Sequence, residues 1–170
     1  MPVVCEFGIM SRMKVSVLAM SVFAAFACCA GDEWYAQGAA QIVLPQGGSG
    51  MRRRGGGAAR VGRYVSDSLA LECEAAWLEN GAALAARAVW HLHGWREFDM
   101  LFGYERFDPF LSAGARGWLH DGQVGPSAGI GAFYYLTDEW ALRFDADATL
   151  GLDTHVETAF AISAGVQYFF

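Results

Sequence analysis

The stretch from Thr158 to Phe170 restricts this chain more than any other, because it alternates without interruption and finishes on aromatic residues. Stepping back from Phe170 by two gives Tyr168, Val166, Ala164, Ile162, Phe160 and Thr158. The intervening set is Phe169, Gln167, Gly165, Ser163, Ala161 and Ala159. A period of two sends these sets to opposite faces of a β-strand. One face suits an apolar surrounding, and the other is small and mostly weakly polar.

The same period recurs from Trp34 onward in segments about ten residues long, the length a tilted strand needs to cross a bilayer. They fall at 34–44, 57–65, 69–78, 82–92, 109–119, 125–136, 140–150 and 157–170. Turn signals separate them: Pro45 to Gly56, Ser66-Asp67-Ser68, Glu79-Asn80-Gly81, His120 to Gln123, Thr137-Asp138-Glu139 and Gly151 to Val156. Asn80-Gly81 is the strongest hairpin cue. An internal echo pairs Arg63–Ala75 with Tyr134–Ala146, each read as strand, tight turn, strand, at an offset of four strands. The pattern predicts an all-β fold, an eight-stranded antiparallel up-and-down β-barrel with the two echoing hairpins on opposite sides. The long connection from His93 to Asp108 is rich in aromatic residues; a surface helix and extensions of the flanking strands both fit it.

Charge, sorted by face, separates a soluble barrel from a transmembrane one. On the seventh strand Trp140, Leu142, Phe144, Ala146, Ala148 and Leu150 oppose Arg143, Asp145 and Asp147. Leu69, Leu71, Cys73, Ala75 and Trp77 oppose Glu72 and Glu74 on the third, Leu84, Ala86, Ala88, Trp90 and Leu92 oppose Arg87, His91 and His93 on the fourth, and Leu111, Ala113 and Ala115 oppose Ser112, Gly114 and Arg116 on the fifth. A soluble barrel turns the Leu, Trp and Phe face inward, whereas a membrane barrel turns it to lipid. Upstream, Val15 to Ala30 is an apolar run after Met13-Lys14, too short to span a bilayer and ending in Ala27-Cys28-Cys29-Ala30. It has the form of a secretory signal cleaved before Gly31, with residues 1–12 an upstream extension and Met13 the initiator. Residues 1–30 are then leader and 31–170 the barrel domain. Export and face polarity together predict the transmembrane form.

With the polar face inside, Arg60, Arg87, Arg116 and Arg143 meet Glu72, Glu74, Asp145 and Asp147. Eight strands enclose only enough room for side chains, and buried charges demand partners. The expectation is a neutral, salt-bridged plug that does not conduct steadily, with Glu72 and Glu74 set between the strands of Arg60 and Arg87. Arg63 breaks the scheme by pointing toward lipid. Such an arginine costs about 2–4 kcal/mol at the midplane and about 0–1 near the interface, and the nearby turn at Asp67 lets it snorkel.

Across roughly Trp34 to Phe170 the chain resembles the OmpA-type outer-membrane β-barrel superfamily. The carriers are the signal segment, the units around Ser66-Asp67-Ser68 and Thr137-Asp138-Glu139, the Gly125 to Gly131 strand, and Gly165-Val166-Gln167-Tyr168-Phe169-Phe170. The resemblance implies an outer-membrane location among lipid and lipopolysaccharide, with both termini and the turns at 66–68 and 137–139 in the periplasm. It also implies that Phe170, with Tyr168 and Val166, is the signal read by the barrel assembly machinery. The long 93–108 connection would lie on the same side, where the family usually has short turns.

Chemistry finds little support. After the leader the chain keeps ten Arg, no Lys and seventeen acidic residues, a balance that argues against nucleic acid. Cys5, Cys28 and Cys29 fall in the leader, which leaves Cys73 without a disulfide partner or a cysteine metal site. Lipidation at Cys28 or Cys29 is opposed by the poor signal Ala25-Phe26-Ala27. His91 and His93 share a face, but no third metal ligand is identifiable. His120 and His155 lie near rim loops with Asp121, Asp153 and Glu157, and no nucleophile accompanies them at a diagnostic spacing. No enzyme, metal or cofactor is expected. Arg52-Arg53-Arg54, in a first loop loosened by Gly47-Gly48 and Gly55-Gly56-Gly57, fits either a solvated charge run or a site for lipopolysaccharide phosphates. The function expected is structural or surface-interacting. The alternatives are a narrow pore or carrier for small solutes and a soluble periplasmic lipocalin-like binding barrel.

Overall fold

In the computed structural model, residues 34–46, 54–79, 81–92, 106–119, 122–151 and 158–170 are described. They form eight strands: β1 (Trp34–Gln46), β2 (Arg54–Ser66), β3 (Leu69–Leu78), β4 (Gly81–His91), β5 (Phe107–Trp118), β6 (Gln123–Tyr135), β7 (Trp140–Leu150) and β8 (Thr158–Phe169). Each pairs antiparallel with its sequence neighbour, and β8 returns to β1 to close the barrel. The closing seam is among the longest ladders, running from Tyr35 opposite Phe169 to Gln46 opposite Thr158. Closure reaches the last residue, where the Phe170 amide donates to the Trp34 carbonyl.

Local chemistry sets the turns. Between β5 and β6, Gly122 takes φ of 66° and its amide donates to the Trp118 carbonyl at 3.0 Å, a left-handed conformation open to glycine at little steric cost. Between β6 and β7, the Thr137 hydroxyl accepts the Trp140 amide at 3.1 Å, and the Leu136 amide donates to the Trp140 carbonyl. The echoing segments are the β2–β3 and β6–β7 hairpins, four strands apart in the ring.

The structure moves one boundary of consequence. Arg54 and Gly55-Gly56-Gly57 do not belong to a flexible first loop; they begin β2, with Gly55 opposite Ile42 and Gly56 opposite Leu78. The reason is steric. A Cβ on Gly56 would meet the Leu78 Cα at 2.9 Å and press on the Trp77 carbonyl, so the wall here closes only around a residue without one. The expected leader at residues 1–30, Arg52, Arg53, His93 and the rest of the 93–105 connection, His120, Asp121, His155, Asp153 and Glu157 lie outside the described residues.

Candidate functional site

The barrel interior is stacked in three tiers. At the end where β1 begins, Tyr35, Phe110 and Phe133 are buried with Ala70, Val89 and Ala141, and Tyr64, Tyr135 and Phe169 pack against them. His91 lies in the same tier, its ring stacked on Phe133 at 5.3 Å and its Nδ1 2.6 Å from Asp108 Oδ2. The Tyr135 hydroxyl donates to the same carboxylate oxygen at 3.2 Å. At the opposite end the buried clusters are apolar: Ala58, Ala76 and Ala83 in one, Val43, Leu78 and Ala161 in another, with Trp118 packed on both, and Gln41 and Thr149 are buried at the same end.

Between these tiers lies a belt of charge. Arg60, Arg87, Arg116, Arg143, Glu72, Glu74, Asp145 and Asp147 are all buried, each at most 5% exposed. Alternation places every one on the inward face of its strand, because inward positions recur at every second residue. Arg60 Nε is 2.7 Å from Glu74 and its Nη1 is 2.8 Å from Asp145. Arg87 holds Glu72 at 2.6 Å, Asp147 at 2.8 Å and Glu74 at 3.0 Å. Arg116 holds Glu74 at 2.8 Å, and Arg143 is ion-paired with Glu72. Four arginines against four carboxylates leave the belt neutral.

Neutral polar groups complete the belt. Gln37 accepts from Arg60 at 2.8 Å, Ser163 accepts from Arg60 at 2.8 Å and itself donates to Asp145, and Ser112 donates to Asp147 at 3.1 Å. The Tyr35 hydroxyl donates to Glu72 at 2.9 Å, tying the aromatic tier to the belt. Arg143 makes a second tie, with its guanidinium carbon 4.7 Å from the Phe110 ring centroid and 5.1 Å from that of Phe133, positions suited to cation–π attraction. The aromatic tier, Gln37, Gln41 and the pairs that cross the lumen are features that sequence reasoning missed. Parity marks Tyr35, Tyr64 and Phe110 as inward, since each shares its face with a belt residue of its own strand, whereas Phe133 and Tyr135 on β6 are placed by register, with Phe133 opposite Arg143 and Tyr135 opposite Ala141.

The outer wall is the inverse of the interior. Leu71, Leu84, Trp90, Leu111, Ile130, Phe144, Ile162 and Val166 are exposed, at 44–63%. Aromatic side chains gather outside the rim where β1 begins: Trp34, Trp90, Phe107, Tyr134, Trp140, Tyr168 and Phe170. Trp140 and Tyr168 have ring centroids 4.8 Å apart, and Tyr168 meets Phe170 edge-on at 5.1 Å. Arg63 is exposed in this girdle, opposite Trp34 in register, with its guanidinium 5.7 Å from that ring. Its outward direction therefore falls at a rim rather than at mid-wall. Cys73 is a free thiol on the outer face of β3. Among the described residues, no group of three or more His, Cys, Asp or Glu side chains is arranged to hold a metal ion.

No protein-family model and no curated protein sequence matches the chain. Solved structures do match its fold. Neisserial surface protein A superposes with a TM-score of 0.61 at 14% identity, covering 81% of this chain and 97% of that one. The N-terminal β-barrel domain of Pseudomonas aeruginosa OprF gives 0.55 at 17% identity, covering 80% and 97%. Ail, the attachment invasion locus protein of Yersinia pestis, gives 0.55 at 9% identity, covering 82% and 100%.

Proposed function

We propose that this chain, which has the fold of the small eight-stranded outer-membrane barrels, is itself an integral outer-membrane protein with a non-catalytic, structural or surface-interacting role. One observation carries the proposal: the inversion of the two faces, with four arginines and four carboxyl side chains inside and Leu, Ile, Phe and Trp outside. A soluble barrel with this wall would present a continuous apolar surface to water, far beyond what monomeric proteins expose. The same inversion opposes the lipocalin-like alternative, whose ligand cavity needs the apolar face inside.

The girdle adds a dimension. From Trp140 to Leu150, β7 has 11 residues; at about 3.4 Å per residue and a tilt near 40° it spans about 25–30 Å, close to the height of an outer-membrane apolar band. Surrounding lipid and lipopolysaccharide are the partners this wall suits, and Phe170, with Tyr168 and Val166, is the segment offered to the assembly machinery. The belt and the aromatic tier fill the cross-section, which supports a closed lumen over a narrow pore.

The test is gel mobility of the membrane fraction from expressing cells, unboiled against boiled, followed by planar-bilayer recording. A heat-dependent shift in the outer-membrane fraction with an electrically silent bilayer is the expected pair of results. Recovery in the soluble periplasm without a shift sinks the membrane assignment; steady unit conductance sinks the closed lumen.

A further inference from the structure

The charges of the belt divide between the two halves of the chain in a reciprocal way. Strands β1–β4 carry Arg60, Arg87, Glu72 and Glu74, and strands β5–β8 carry Arg116, Arg143, Asp145 and Asp147. The belt residues of each half balance in charge, yet every belt arginine reaches a carboxylate of the other half. Arg60 pairs with Asp145, Arg87 with Asp147 and Arg116 with Glu74, each at 2.8 Å, and Arg143 pairs with Glu72. Pairs inside a half also exist, such as Arg60 with Glu74 and Arg87 with Glu72. They order each inner face, but they do not join the halves.

The repeat gives this reciprocity a meaning. The β2–β3 and β6–β7 hairpins share one register: Gly62 is opposite Glu72 as Phe133 is opposite Arg143, and Tyr64 is opposite Ala70 as Tyr135 is opposite Ala141. Positions 72 and 143 are therefore equivalents in the repeat. Strands β3 and β7 lie four apart in a ring of eight and face each other, so these equivalents meet across the lumen. Where a plain repeat would set like against like, the chain sets glutamate against arginine. Two N-terminal halves would oppose Glu72 to Glu72, and two C-terminal halves Arg143 to Arg143. Repulsion between like charges in a water-poor interior is a specificity device.

We propose that the charge belt is a recognition surface between two four-stranded half-barrels, and that the Glu72–Arg143 pair makes an N-terminal half specific for a C-terminal half. Closure of β8 on β1 then follows from matching the inner faces as well as from pairing the backbone. The proposal rests on interior geometry alone, so it stands or falls independently of the membrane assignment.

The test refolds the full chain from urea into detergent micelles and reads folded monomer by unboiled gel mobility. E72R places arginine at both equivalents, and R143E places glutamate at both; each is expected to lose the folded monomer. The cross-lumen swap E72R/R143E is expected to regain it, and the within-half swap E72R/R87E is not. Because arginine at 72 meets Arg87, and glutamate at 143 meets Asp145 and gives up the Phe110 and Phe133 ring faces, a neutral cycle decides the matter if the swap itself does not fold. There, E72Q/R143Q is expected to tolerate more urea than the sum of its single losses allows. The proposal is overturned if either single reversal folds like the parent, if E72R/R143E folds and E72R/R87E recovers as much monomer, or, where the swap does not fold, if the neutral cycle is additive.

Discussion

Replacing Phe144 by arginine places a charge on the outer wall where a membrane barrel and a water-exposed barrel respond differently. Phe144 is 54% exposed and points outward from β7, opposite Ala132 on β6 and Ala164 on β8. It lies four residues from Trp140 and six from Leu150. At about 3.4 Å per residue and a tilt near 40°, that is about 10 Å from the aromatic rim and about 15 Å from the other. An arginine at this depth costs about 2–4 kcal/mol in a bilayer, or about 30- to 700-fold in the folding equilibrium at about 1.4 kcal/mol per decade. Trp140→Arg, at the rim, costs only about 0–1 kcal/mol. If the wall faced water, both substitutions would fall within about 0.5 kcal/mol of the parent. The assay is reversible urea titration in phosphatidylcholine vesicles, with tryptophan emission as the readout and a parent control for Trp140→Arg. Equal midpoints for the two variants would refute the depth assignment and, with it, the wall as a membrane surface.

Glu74→Gln should destabilise the barrel by about 3–5 kcal/mol, because Glu74 serves Arg60, Arg87 and Arg116 at once and removing one member of a buried ionic set strands the others. Exposed Glu79→Gln is its control, and a titration showing the two alike counts against the belt. Glycines on neighbouring strands should respond in opposite directions. Gly56→Ala drives a methyl into the backbone at Trp77 and Leu78 and should cost about 1–3 kcal/mol. Gly38→Ala meets nothing within 4 Å and should gain about 0.4–1 kcal/mol; losses of equal size would show that wall spacing is not the determinant. Phe170→Ser should lower outer-membrane yield in cells while leaving refolding into detergent nearly unchanged, and equal losses in both settings would make Phe170 a packing residue rather than an assembly signal.

Strand number, face and the identity of the inward charges were legible because a period of two is a local property, and Trp140–Leu150 displays it without a break. Pairing partners were legible only in part. Glu72 could be matched to Arg87 on the adjacent strand, but its contact with Arg143 depends on which strands face each other after closure, and no local pattern encodes that. The aromatic tier was missed for a different reason. Tyr35, Tyr64 and Phe133 look lipid-facing by composition, and only parity with Gln37 and Arg60 turns the first two inward, as the register opposite Arg143 does Phe133. Gly55 to Gly57 misled because glycine runs commonly mark loops, whereas here Gly56 sits where a neighbouring backbone passes too close for a side chain.

A ring without a first or last strand also constrains time. Each strand lies between two others, so wall amides cannot be released by peeling an edge; opening any one requires the ladder to part from within. Hydrogen exchange along the middle of the strands should therefore proceed through a single opening of the whole ring, with faster local fraying confined to the last rungs near Gln46, Ser66 and Leu78. A protein built this way has few intermediate degrees of looseness between intact and unfolded.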